Sequence, residues 1–239
     1  MLNAFNLIVE WLPALMKGAS LTLGVALIAL FISLVVGMLI ALFRLSKSRV
    51  LSVIGGTYTT VIRGIPELVL LLLIFYGGEQ FFNDWRFARA DATGIEVEAI
   101  AFSPFWAGAM VIGFVYAAYM AETFRGAILA VPSGQLEAAK AYGLNPIRIF
   151  FRITVPQMIR HALPGISNNW QVMLKATALV SLIMLSDIVD LSFVAGKSTK
   201  YYFTFLLFAA LVFLAFTSVS VIVFRYLENR YSIGFTRQS

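Results

Sequence analysis

Long uncharged runs include Ala19–Phe43, 25 residues, and Phe203–Phe224, 22 residues. At about 1.5 Å per residue each can cross a hydrocarbon core of about 30 Å, the first with room to tilt. Backbone inside lipid must satisfy its own hydrogen bonds, so such runs are helices. Charged residues make up 13% of the chain, about half the share of a soluble domain, which extends the inference from two runs to a polytopic membrane protein. The net charge of +6 then marks inner loops, not nucleic-acid binding. No cysteine is present, which excludes thiolate metal sites, disulfides and cysteine nucleophiles. His161, the one histidine, cannot form a histidine metal cluster and reads as an interfacial base.

In chain order, residues 1–18 read as an amphipathic interfacial segment broken at Pro13. The first span, about 19–43, is too long for a signal peptide and ends in Arg44, Lys47 and Arg49, so that end is cytoplasmic. Arg63-Gly64-Ile65-Pro66-Glu67 opens a second span, about 66–82, with proline in its first turn. The exit loop to Ser103 holds five acidic and two basic residues, net −3, which suits an outer face. The third span covers about 105–130, the fourth about 163–185 and the fifth about 203–224. Between the third and fourth, one acidic residue (Glu137) faces four basic ones, net +3. Five spans, with the N-terminus outside and the C-terminus inside, fit every loop. Five helices alone enclose little of a pathway, so a second copy or a related subunit is expected.

The polar island Ser133–Pro156 reads as helix, turn, helix. Ser133 can cap, Leu136, Ala138, Ala139 and Tyr142 give an apolar face, and Gly143 with Asn145-Pro146 turns the chain. Ile147, Phe150 and Phe151 then oppose Arg148 and Arg152. A loop without a docking task rarely needs so much order, so it reads as a plug for a soluble partner.

Its spacing is Glu137-Ala138-Ala139, three residues, Gly143, nine residues, Ile153-x-Val155-Pro156. This resembles the EAA signature of ABC importer permeases, with valine at a position usually leucine. Arg63-Gly64-Ile65-Pro66, Tyr119-x-Ala121-Glu122-x-Phe124-Arg125-Gly126, the run Asn169–Ser181, Ala195–Thr199 and Tyr231-Ser232-x-Gly234 resemble the polar amino acid permease family. The likeness covers essentially the whole chain and is greatest to permeases of histidine/lysine/arginine/ornithine importers and their opine relatives. It implies an all-α, type I importer-like fold in the bacterial inner membrane. It implies a heterodimer with a second permease, two cytoplasmic ATPase subunits and a periplasmic binding protein. It also implies a coupling loop over 131–161, in which Glu137, Ala138, Ala139, Tyr142, Gly143 and Pro156 meet the ATPase.

No cofactor is expected in this chain. A Walker-type phosphate loop is missing from the sequence, since Ala195-Gly196-Lys197-Ser198 lacks the upstream glycine, so ATP and Mg belong to partner subunits. Buried ionisable and amide groups in spans point to function. A cationic substrate calls for a carboxylate, which Glu67 or Glu122 can supply. Asn168, Asn169 and Gln171 can bind α-amino and α-carboxylate groups, and Lys175 lies near mid-span. Against these stand structural roles: Glu122 can pair with Arg125, the amides can tie helices together, Lys175 can pair with another helix, and Arg63 can anchor at headgroups or near the ATPase. A membrane enzyme lacks its nucleophile, base or metal set. A self-sufficient channel or proton-coupled transporter would show acidic residues at midplane and no docking loop, and the polar groups of the fourth span disfavour an assembly protein.

Overall fold

The computed structural model describes residues 2–232, and the matched Gly234 lies outside the described residues. Ten α-helices follow one another, with no strand among the described residues. The longest, α1, runs Leu2–Arg44 as one helix through Pro13. The segment expected to lie apart over residues 1–18 is therefore the first turns of α1. Proline removes one ladder hydrogen bond, a loss that helices in apolar surroundings tolerate. Packing holds the rest: Leu15 and Ala19 are buried with Phe205 and Ala209, and Trp11 stands edge-on to Phe205.

Helix α2 (Arg49–Gly64) returns along α1 and α5, with Gly55 close to the Ile40 carbonyl and Arg44. At Ile65–Pro66 the backbone is extended and the chain bends by 107°. It resumes as α3 (Glu67–Leu72), a π-helical turn over Leu73–Gly77, and α4 (Gly78–Thr93). The expected span over about 66–82 thus lies within the second arm of a bent helix pair, Arg49–Gly64 and Glu67–Thr93. Its helix continues to Thr93, because the following segment folds back and supplies partners. Asn83 exchanges two hydrogen bonds with the Ile100 backbone, 2.9 Å each. Arg86 donates to the Glu98 carbonyl, and Glu79 accepts from the Phe102 amide, both at 2.9 Å.

Helix α5 (Pro104–Leu129) is the central post, with α1 as its main neighbour. Small residues let the two approach: a Cβ on Gly37 would lie 2.6 Å from Met120 Cβ, and one on Gly113 would lie 2.8 Å from Ile32. Helices α6 (Ser133–Ala141) and α7 (Pro146–Ile149), then a π-helical turn, lead into α8 (Val155–Ala176) and a 3₁₀ stretch, Thr177–Ile183. Ser133 does not cap α6. Pro132 holds that position, and its carbonyl accepts from the Gln135 amide at 3.2 Å. Between the expected fourth and fifth spans lies α9 (Ile188–Thr199), capped by Asp187, before α10 (Tyr202–Ser232). Three helices are long and apolar enough to span a membrane alone, and the count reaches five if each bent pair is one span.

Candidate functional site

Two regions carry the polar chemistry. The first is the island between α5 and α8. Helix α6 ends in a Schellman closure: the Leu144 amide bonds the Ala139 carbonyl (3.2 Å) and the Gly143 amide bonds the Lys140 carbonyl (2.9 Å). Gly143 takes φ +76°, a conformation that glycine adopts without Cβ strain. Asn145 then caps α7, its side chain accepting from the Arg148 amide at 2.8 Å, with Pro146 in the first turn. Ala139 is buried, while Glu137, Ala138 and Gly143 are exposed. Tyr142 is 89% exposed, Ile147 70% and Phe151 65%, an apolar patch on a charged loop. Pro156 is exposed in the first turn of α8.

The island is seated firmly. Val131 and Met158 are buried with Phe124 and Ala127, and Leu136 and Val155 pack against them. Gln157 donates to Gln135 at 2.5 Å, joining α6 to α8. His161 accepts from Arg160 Nε at 3.1 Å, and burial, then Arg160, hold its pKa below the usual value. It is thus less basic than an interfacial cation would be.

The second region surrounds the break in α2–α3. Tyr116 lies twelve residues after Pro104 and thirteen before Leu129, at half the height of α5. Its hydroxyl donates to Glu67 Oε1 at 2.9 Å, so the break is beside the middle of α5, not at one of its ends. A small cavity there is lined by Glu67, Leu71, Tyr116, Ala176 and Leu179. On the other side of the break the Arg63 guanidinium lies 5.2 Å from the Tyr119 ring centre. The Tyr116 and Tyr119 rings are 5.5 Å apart.

Glu122 is elsewhere engaged. It pairs with Arg44 of α1 and, at 3.0 Å, with Arg125 one turn on. Arg44 also donates to Thr59 at 3.1 Å. Asn169 donates to Thr123 at 3.0 Å and so ties α8 to α5, while Gln171 reaches only Ser167 on its own helix, at 3.4 Å. Asn168 and Lys175 are exposed, seven residues apart on one face of α8, with no hydrogen bond or ion pair to another described residue. The structure therefore brings Glu67 to mid-height, leaves Asn168 and Lys175 open, and ties down Glu122 and Asn169. Tyr116, Arg44 and Thr123 were not legible as site residues; a tyrosine pair three apart on one helix was the available signal.

A bundle of long apolar helices with an ordered polar loop seated at one end defines a polytopic membrane protein. Residues 33–233 match the family described as "Binding-protein-dependent transport system inner membrane component", and the chain belongs to that family. It is similar to the histidine/lysine/arginine/ornithine transport system permease HisQ of Salmonella typhimurium, 48% identical over 93% of this chain and 95% of that one. The arginine ABC transporter permease ArtQ of Escherichia coli is 36% identical over 92% and 95%. Among solved structures, an amino acid ABC transporter with histidines superposes with a TM-score of 0.78 at 30% identity, covering 93% of this chain and 96% of that one. The chain is thus an ABC importer permease subunit of the inner membrane, and ATP hydrolysis is carried by separate ATPase subunits.

Proposed function

We propose that this subunit couples closure of a cytoplasmic ATPase pair to import of basic amino acids, as one half of a permease heterodimer fed by a periplasmic binding protein. In this reading five spans place the N-terminus outside and the island inside. The observation that carries it is the island itself: a short helix closed by Gly143, with Glu137 and Tyr142 exposed and Ala139 set into the body. A helix transmits a push where a loop would flex. The push has a continuous path, from α6 through Gln135–Gln157 into α8, and through Asn169–Thr123 to α5. The exposed Tyr142, Ile147 and Phe151 suit burial against a soluble partner.

For the substrate's cation, Glu67 is the better candidate. Glu122 is shared by two arginines, whereas Glu67 meets only a tyrosine hydroxyl at half-height of the post. Asn168, Gln171 and Lys175 lie along the same helix, α8, toward the pathway or the second permease.

The test is Gly143→Asp in the assembled importer. The variant should insert and pair with its permease partner, yet lose uptake or ATPase binding. Normal uptake with ATPase bound would sink the coupling role. Uptake competition with histidine, arginine, lysine, ornithine and an opine then fixes the substrate, and a preference for neutral or acidic amino acids would exclude the basic reading.

A further inference from the structure

We propose that Arg63 is the counter-charge for the α-carboxylate of the transported amino acid, so that the helix break recognises the free amino acid form. The proposal rests on the reading that Glu67 receives the substrate's cation. Arg63 and Glu67 are four residues apart, a spacing at which opposite charges pair on a continuous helix. Here they do not: no ion pair within 4.0 Å joins them, and the described ion pairs both involve Glu122. The extended backbone at Ile65 and Pro66, with its 107° bend, breaks the helix between them, so the spacing of a continuous helix does not apply. Each is held by a tyrosine of α5: Arg63 over the Tyr119 ring, and Glu67 by the Tyr116 hydroxyl.

Arg63 is exposed on a recess that it lines with Arg44, Thr59, Thr60, Gly64 and Glu122. The one carboxylate there, Glu122, is already divided between Arg44 and Arg125. Arg63 therefore has no ion-pair partner among the described residues and stands open to an anionic ligand. A planar guanidinium suits a carboxylate, with two parallel hydrogen bonds available. A lipid phosphate would offer one sign of charge and leave Glu67 without a role. A basic amino acid carries both signs, and the tyrosine shelf, rings 5.5 Å apart, separates the groups that would receive them.

The test compares arginine, lysine and histidine with their decarboxylated amines, agmatine, cadaverine and histamine. Binding is measured on the purified permease–ATPase complex without the binding protein, whose own selectivity would otherwise intervene. Wild type should prefer the amino acid over its amine by about tenfold or more, the value of one charge-assisted contact. Arg63→Gln should lose that preference while amine binding stays within twofold, and Arg63→Lys should recover part of it. Glu67→Gln should weaken amino acid and amine alike, which tests the underlying reading separately. The proposal is overturned if Arg63→Gln weakens both ligand classes equally or neither. It is also overturned if its defect follows the phosphatidylglycerol content of reconstituted vesicles, which would make the recess a headgroup site. Failure of wild type to bind any of the three amino acids would overturn both readings. Melting temperature and ATPase retention of each variant separate a binding loss from misfolding.

Discussion

Glu122 of α5 is shared between Arg44, the last residue of α1, and Arg125 of its own helix. One carboxylate thus fixes the end of the longest helix to the central post, and Arg44 extends the link to α2 through Thr59. Glu122→Gln should therefore act on stability. Removing one partner of a partly buried network strands the others, and with roughly a quarter of these side chains exposed the cost is about 1–3 kcal/mol. A lower melting temperature with an unchanged ranking of basic substrates is expected. Arg44→Gln added to Glu122→Gln should cost less than the sum of the single changes. A changed substrate ranking would instead place Glu122 in the pathway.

The contact of α1 with α5 depends on glycine at 37. A Cβ there meets Met120 Cβ at 2.6 Å and the Ala117 carbonyl at 3.1 Å, so neither a rotamer nor a flexible tip can yield. Gly37→Ala should cost about 1–3 kcal/mol by overpacking, read as a fall in melting temperature. Gly126→Ala, where nothing lies within 4 Å, is the control and should be near neutral.

Asp187 gives a pH dependence. It is fully buried, its Oδ1 caps α9 by accepting from Val189 and Asp190, and its Oδ2 has no partner. Burial pushes its pKa up to about 6; Asp190 adds to the rise, and the backbone amides oppose it. The folded state therefore holds a proton that the unfolded chain releases near pH 4. Its stabilising share is complete below pH 4 and is lost as pH rises through 6, on the order of 2–3 kcal/mol. Asp187→Asn keeps a capping oxygen without the charge. It should flatten melting temperature between pH 4 and 7 and exceed wild type at pH 7.5. An unchanged slope would assign the effect to other groups.

Asn145 caps α7 beside the Gly143 turn. Asn145→Ala should cost about 1 kcal/mol locally. Amide exchange over 146–151 should quicken, with ATP turned over per amino acid imported rising as the island loosens. Unchanged exchange would mean that Pro146 alone sets the turn.

Much was legible in the residues themselves. Uncharged runs, loop charges and the Glu137–Pro156 spacing determine a helical membrane permease with an ordered island, because lipid tolerates only self-satisfied backbone and because Gly143 and Asn145-Pro146 allow few turns. The position of the polar groups was not legible. Counting residues along straight helices puts Glu67 at an inner helix end. The structure puts it at half-height, because α2 climbs beside α5 before the chain bends at Ile65–Pro66. Spacing likewise allows Arg63 to pair with Glu67, and lets Glu122 either pair with Arg125 or serve the substrate. The bend separates the first pair, and Arg44, seventy-eight positions earlier in the chain, claims Glu122 as well. Local sequence determines which segments are helices and where they stop. Which charges neutralise one another is decided by helices packing together, since that choice depends on distances between segments remote in sequence.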